Sequence, residues 1–99
     1  MAFGEVYLFD SGRLGELIYN VCKNELSIKG FIDNDPAKIG TVLNGVPIYS
    51  LSQVSNANQL YIVISANQHN NEIYSQLTKA GFKHGTDFVY TKNFFVRFF

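Results

Sequence analysis

Apolar runs alternate along the chain with polar breaks that contain glycine, and two of the runs are long enough to be buried strands. Residues 6–9 and 60–65 are apolar at nearly every position and rich in β-branched and aromatic residues. Such continuous runs are typical of parallel strands covered on both faces. With further strands at 27–33 and 88–90, the pattern predicts a sheet of about four strands, in which 60–65 is central.

A period near 3.6 residues marks the predicted helices. The first follows the opening strand directly, and its apolar positions recur at the spacing of one helical face: Leu14, Leu17, Ile18, Val21 and Cys22. A later helix is marked by Ile73, Leu77 and Ala80 and is expected to stop at Gly81, a left-handed cap. Ser50 followed by Gln53 forms a capping-box pattern that predicts a short helix over residues 51–57.

Asn44-Gly45 lies between two apolar pairs and predicts a tight hairpin turn. Pro47 cannot donate a ladder hydrogen bond, so its strand is expected at an edge, in a small surface hairpin. Strands alternating with helices indicate an α/β fold, a Rossmann-like three-layer sandwich with a mostly parallel sheet and a small hairpin insert.

Composition narrows the classes of partner. Eight basic and eight acidic residues among 99 give a formal net charge of zero, so we expect no nucleic-acid partner. The apolar runs fall far short of the roughly 20 residues that cross a bilayer, so no membrane insertion is expected. A single cysteine, Cys22, and no metal-ligand spacing predict neither a disulfide nor a metal site, and favour a cytoplasmic location.

The chemistry-bearing stretch is the turn from the first strand into the first helix. Asp10-x-Gly12-x-x-Gly15 matches the second and third glycines of the dinucleotide-binding pattern G-x-G-x-x-G and has aspartate at the first. The helix amino terminus offers an anion site, and Arg13 adds a phosphate-facing guanidinium. Asp10 opposes phosphate there and is expected to fill the site from within by accepting helix N–H bonds. A tight turn without a ligand is the alternative.

Asp33 lies about 20 residues beyond this loop, where dinucleotide-binding folds place the acid that takes the ribose hydroxyls. Parallel strands that end at one sheet edge bring it close to Gly12. Its alternative role is to cap the turn at 33–36. After the central strand, the loop from Ser65 to His69 is expected to meet a base or sugar. His69 has no paired nucleophile in the sequence and is interpreted as a solvated loop residue, so no catalytic residue is assigned.

These segments together resemble one bacterial group of domains. The strings GFIDNDP at 30–36, KIG at 38–40 and NGVPIY at 44–49, with the loop at 9–15 and the strand at 61–65, are similar to the Rossmann-like nucleotide-binding domain at the front of two enzyme types. These are sugar acetyltransferases of the sialic-acid O-acetyltransferase type, and nucleotide-sugar dehydratases and epimerases of polysaccharide biosynthesis. A broader resemblance is to the CoA- or NAD-binding domains of redox-sensing repressors and acyl-CoA synthetases.

The resemblance implies a nucleotide or nucleotide-sugar site, with a UDP-sugar as first choice and NAD(P) or CoA as alternatives. It implies these binding residues: Ser11, Gly12, Arg13, Leu14, Gly15, Asp33, Asn34, Ser65, Ala66 and Asn67. The chain has no β-helix repeats, and Tyr74 is followed by Thr78 where a Tyr-x-x-x-Lys pair would need lysine. We therefore expect binding without catalysis by this chain alone. The alternatives are a ligand-free interaction or oligomerisation module, and a CoA- or NAD-responsive regulatory domain.

The predicted domain covers residues 1–91, and an aromatic tail covers 92–99. Four phenylalanines stand in the last six positions: Phe94, Phe95, Phe98 and Phe99. Such a cluster needs a partner surface. The tail is expected to fold back on the sheet, to form a homo-oligomer interface, or to lead into a further domain.

Overall fold

The computed structural model describes residues 5–55, 60–66 and 69–92. Six strands and three helices follow in chain order: β1 (Glu5–Phe9), α1 (Arg13–Cys22), β2 (Ile28–Ile32), β3 (Val42–Leu43), β4 (Val46–Tyr49), α2 (Leu51–Val54), β5 (Leu60–Ile64), α3 (Asn70–Lys79) and β6 (Phe88–Tyr90). The α/β architecture predicted from the sequence is confirmed. None of these helices is both long enough and apolar enough to cross a bilayer.

The strands form one sheet in the order β3-β4-β2-β1-β5-β6. All neighbouring pairs are parallel except β3 and β4, which form the predicted antiparallel hairpin. Asn44 and Gly45 at its turn have φ angles of 53° and 78°, the positive values that such a turn needs. β1 and β5 lie inside the sheet, which explains their continuous apolar sequences.

The sheet has six strands, not about four, because the hairpin is part of it. Strand β4 pairs with β2 through Ile48 and Tyr49, so the expected surface insert extends the sheet. The prediction that Pro47 marks an edge strand was wrong, since β4 lies between β3 and β2. Proline is tolerated there because registered pairing with β2 begins only at Ile48, one residue later.

Each face of the sheet carries a buried apolar cluster. Helix α1 packs Ile18 and Cys22 on one face, against residues that include Leu8 and Phe31. Helices α2 and α3 cover the other face, where Leu51, Val54, Ile73 and Leu77 meet the alternate residues of the same strands. Since both faces are buried, the carboxyl ends of the parallel strands are the edge at which polar loops collect.

Candidate functional site

The β1–α1 loop lies at this edge and is held by its own side chains. Asp10 adopts a φ of 99°, so the position of the missing first glycine keeps a conformation that suits glycine. One Asp10 carboxylate oxygen accepts the Gly12 N–H at 2.8 Å. The carboxylate therefore binds the N-cap residue of α1 and does not accept from the N–H groups of the first helical turn.

The amino terminus of α1 is left open. The first helical bond runs from the Glu16 N–H to the Gly12 carbonyl at 3.0 Å. The backbone N–H groups of Arg13, Leu14 and Gly15 have no acceptor among the described residues. Asp10 was expected to fill this anion site from within, and it satisfies only the Gly12 N–H. Three donors at the positive end of the helix dipole thus lack an acceptor in the part of the chain that the structure describes, and the last of them, on Gly15, is buried.

Gly15 is required by close packing. A Cβ atom at this position would overlap the Asp10 carbonyl oxygen and would lie 3.2 Å from the Ser65 hydroxyl oxygen. Ser65 is 1% exposed, and its hydroxyl donates towards the carbonyls of Phe9 at 3.0 Å and Asp10 at 3.1 Å. Ser65 thus links the end of β5 to the β1–α1 loop through hydrogen bonds. The neighbouring Ala66 is also buried.

Asp33 joins the end of β2 to the same loop. One carboxylate oxygen accepts the Ser11 N–H at 2.9 Å and the Ser11 hydroxyl at 2.6 Å, and the other accepts the Asp35 N–H at 2.9 Å. Burial by itself raises the pKa of Asp33, but these hydrogen bonds and the positive charge of Lys38 outweigh it, and the pKa lies below its ordinary value. Asp33 is therefore an ionised carboxylate at neutral pH.

Asn34 is exposed and is paired with a residue that the sequence did not single out. The Asn34 amide nitrogen donates to the Gln76 side-chain oxygen at 2.8 Å, and the Gln76 amide nitrogen donates to the Asn34 oxygen at 3.0 Å. This reciprocal pair joins the loop after β2 to helix α3. No local pattern pointed to Gln76, because its partner lies 42 residues away.

Two cavities meet at Asp33 and Asn34. The acidic cavity, of about 240 Å³, is lined by Asp10, Asp33, Asn34, His69, Glu72 and Ile73, among others. The amide cavity, of about 480 Å³, lies towards α2 and is lined by Asn34, Gln76, Ser50, Ser52, Ile39 and Leu51, among others. The first is bounded by three carboxylates. The second is bounded by the Asp33 carboxylate and otherwise by amides, hydroxyls and apolar carbons, so the two suit different parts of a ligand.

His69 lines the acidic cavity and has a left-handed conformation, with φ of 64°, at the start of α3. Its Nδ1 atom lies 3.1 Å from a carboxylate oxygen of Glu72, and both side chains are largely exposed. An exposed pair of this kind contributes little to stability. Within the described part of the chain, no cluster of His, Cys, Asp and Glu is arranged to hold a metal ion.

The structure thus collects most of the predicted site residues at one sheet edge. The loop and the first turn of α1 supply Ser11, Gly12, Arg13, Leu14 and Gly15, of which Arg13 is exposed. Asp33 and Asn34 come from the end of β2, and Ser65 and Ala66 from the end of β5. Asn67 and the four tail phenylalanines lie outside the described residues.

Comparison with solved structures supports the fold. UDP-D-quinovosamine 4-dehydrogenase from Vibrio fischeri is 24% identical, with a TM-score of 0.64 over 80% of this chain and 73% of that chain. RSP, a Rex-family repressor, is 15% identical, with a TM-score of 0.67 over 97% of this chain and 57% of that chain. The structure of RSP in complex with beta-NAD+ and operator DNA is 15% identical, with a TM-score of 0.61 over 95% of this chain and 55% of that chain. This chain spans just over half the length of the repressor chains.

The repressor complex corrects one sequence expectation. We expected no nucleic-acid partner because the formal net charge is zero. A similar structure is of a repressor bound to operator DNA, so that exclusion was wrong. The physical reason is that net charge sums over the whole chain and does not report how charge is distributed locally.

No protein of curated function matches the sequence. A protein-family model described as "C2185-like, N-terminal" matches residues 5–85, which is most of the chain. These residues run from the first residue of β1 to the turn before β6 and include the glycine loop and Asp33. The chain therefore belongs to the C2185-like N-terminal family and has a Rossmann-like fold.

Proposed function

We propose that this domain binds a nucleotide or nucleotide-sugar at the carboxyl edge of the sheet, and that it does so without catalysis of its own. The observation that carries the proposal is the amino terminus of α1, where three N–H groups have no acceptor among the described residues, beside the cavities that meet at Asp33. Helix amino termini that follow a glycine turn bind phosphate in folds of this class. The wider setting that we propose is a bacterial sugar-modifying enzyme of surface-polysaccharide synthesis.

In this proposal the phosphate lies at the first turn of α1, near Arg13. The acidic cavity is an unfavourable place for phosphate, because Asp10, Asp33 and Glu72 bound it. An ionised carboxylate has about four acceptor positions, and three on Asp33 are already used. Asp33 therefore has capacity for one ribose hydroxyl, not for the pair.

The ligand classes to test follow from the similar structures and from the sequence resemblance. A UDP-sugar is the first choice, in line with the UDP-D-quinovosamine 4-dehydrogenase structure. NAD+ is the second, in line with the repressor complex with beta-NAD+. The resemblance adds NADP and CoA.

The test is isothermal titration of the purified domain with UDP-sugars, UMP, NAD+, NADP+ and CoA, checked by thermal denaturation. A ligand present at about 100 times its Kd stabilises the fold by roughly 2.7 kcal/mol, which is several degrees for a domain of this size. Binding of one class, weakened by Arg13→Ala and left unchanged by Lys83→Ala at a distant exposed turn, would support the proposal. Absence of binding by every class would overturn it.

A second candidate function is supported by the internal hydrogen bonds of the loop. Asp33 is engaged by Ser11 and Asp35, and Asp10 holds Gly12, as in a turn that needs no ligand. On this hypothesis the domain has kept the fold and acts as an interaction module. Asp10→Gly separates the two: removal of the carboxylate raises nucleotide affinity if the site is only obstructed, and leaves it undetectable if the site has lost its ligand.

A further inference from the structure

The reciprocal amide pair of Asn34 and Gln76 lies at the amide cavity, which both residues line. Asn34 lines the acidic cavity as well, and Gln76 does not. The two residues come from separate elements, the loop after β2 and helix α3, so the pair joins two elements that both line the amide cavity. Both hydrogen bonds are solvent-exposed, and exposed neutral hydrogen bonds contribute little net stability.

Each amide in the pair presents one donor and one adjacent acceptor to the other. A nucleobase edge presents the same arrangement: the 6-amino group of adenine beside a ring nitrogen, or N3–H of uracil beside O4. Asparagine and glutamine form bidentate pairs with such edges in nucleic-acid recognition. A primary amide can also rotate by 180° to exchange its donor and acceptor, so one side chain fits either polarity.

We propose that Gln76 holds the place of a nucleobase: on ligand binding, the base edge replaces Gln76 as the partner of Asn34, and the base enters the amide cavity. This inference rests on the proposed nucleotide-binding function and adds the residue that determines base specificity. The apolar carbons of Ile39 and Leu51 line the same cavity and suit the faces of the base. The ribose then reaches Asp33, which lines both cavities.

If the base replaces Gln76, substitutions of the two amides have opposite effects on nucleotide affinity. Asn34→Ala removes the partner of the base and weakens binding, whereas Gln76→Ala removes the competitor and strengthens it. If the pair served only to hold the loop after β2 against α3, both substitutions would change the nucleotide affinity in the same direction. Asn71→Ala, which removes an exposed amide from the same helix outside both cavities, is the matched control.

The experiment is titration of wild type and the three variants with AMP and UMP, and with N6,N6-dimethyl-AMP and 3-methyl-UMP. Each methylated analogue keeps the ring, the ribose and the phosphate and loses the donor on the pairing edge. In wild type we expect at least one nucleotide to bind about tenfold or more tightly than its analogue. Asn34→Ala reduces that ratio to about one, Gln76→Ala raises the affinity severalfold and keeps the ratio, and Asn71→Ala changes neither.

Failure of the inference is distinguishable from failure of the proposed function. If wild type binds a nucleotide but does not discriminate against its analogue, or if Asn34→Ala keeps the discrimination, only the base-exchange inference is overturned. The same holds if both amide substitutions weaken binding. If wild type binds no nucleotide of any class, the proposed function falls and this inference falls with it. Circular dichroism of each variant checks that the fold is retained, as expected because Asn34 and Asn71 are exposed and Gln76 is only half-buried.

Discussion

Asp10 has a backbone conformation that residues with side chains rarely adopt, with φ of 99°. Such a conformation costs of order 1–3 kcal/mol and persists only where the surroundings enforce it. Here the Asp10 carbonyl accepts from the buried Ser65 hydroxyl and lies against Gly15, while its carboxylate holds Gly12. The loop geometry is thus fixed by packing against β5 and α1.

Gly15→Ala tests this packing. The added Cβ overlaps a backbone carbonyl that cannot move without distorting β1, so we expect a loss of about 1–3 kcal/mol in the free energy of unfolding. Gly12→Ala is the control, because its Cβ would meet only the Asp10 carboxylate, the movable end of a side chain, at 3.1 Å. Urea denaturation measures both, and a loss at Gly15 no larger than at Gly12 would contradict the prediction.

Asp33→Asn tests the buried carboxylate. Loss of the charge that accepts from Ser11 and Asp35 is expected to lower the free energy of unfolding by about 1–3 kcal/mol at pH 7. Because the pKa of Asp33 is lowered by folding, its stabilisation is present above the unfolded value of 3.8 and is lost as pH falls through the folded value. Denaturation at several pH values should show the wild-type advantage constant from about pH 7 to 5 and shrinking below about pH 4.

Asp35→Asn is the matched control for that experiment. Asp35 is exposed, and within the described ranges its carboxylate accepts one hydrogen bond, from the Ala37 N–H at 2.9 Å. A smaller loss at pH 7 is expected, since solvent can replace this bond. If the two variants lose equal free energy of unfolding, the hydrogen bonds of Asp33 stabilise the fold no more than the exposed turn bond of Asp35 does.

At the scale of elements, helix α1 is rotated relative to the face that its apolar positions define. Leu17 and Val21 belong to the apolar face that the sequence predicted, but they are 58% and 49% exposed. The buried line is instead Gly15, Ile18 and Cys22. The physical reason is Gly15, which must face Asp10 and Ser65 for the helix to approach the strand. Ile18 and Cys22, three and seven positions after Gly15, then face the sheet as well.

Substitutions on α1 check this orientation. Ile18→Ala removes a side chain that is 2% exposed and is expected to lower the free energy of unfolding by about 2–5 kcal/mol. Leu17→Gln, at the adjacent exposed position, is expected to change it by no more than about 0.5 kcal/mol. Chemical denaturation measures both. A loss at Leu17 comparable with that at Ile18 would indicate that another surface covers this side of the helix.

At the scale of the whole molecule, two apolar clusters share one sheet. Alternate residues of the same strands point to opposite faces, so Leu8 belongs to one cluster and Phe9 to the other. Neither cluster can separate from the sheet without exposing strands that support the other. The domain is therefore expected to unfold in one cooperative transition.

Tryptophan probes on each face measure this cooperativity. Tyr19→Trp reports on the α1 face, where Tyr19 packs against Phe31, and Tyr74→Trp reports on the α3 face. The chain has no native tryptophan, so each signal is specific. In each variant, the fluorescence and far-UV circular dichroism transitions should share a midpoint in urea. A separate, earlier fluorescence transition on one face would contradict the prediction.

Some features were predictable from local sequence because their causes are local. The apolar runs of β1 and β5, the Asn44-Gly45 turn, the Gly81 cap with φ of 97° and the bond from the Ser50 N–H to Gln53 at 2.8 Å depend on residues a few positions apart. The parallel fold and the gathering of Ser11 and Asp33 at one edge follow from strand order, which alternating strands and helices restrict strongly.

Local pattern was enough to predict the fold class, the strand-to-helix glycine turn and the acidic end of β2. Contacts between distant segments determine that the hairpin joins the sheet, that α1 buries Ile18 and exposes Leu17, that Asp33 accepts two hydrogen bonds from Ser11 and one from Asp35, and that Asn34 pairs with Gln76. The physical reason is range: backbone preferences and periodicity act over a few residues. Register, helix rotation and side-chain pairing are fixed by contacts between segments tens of residues apart, which no local pattern encodes.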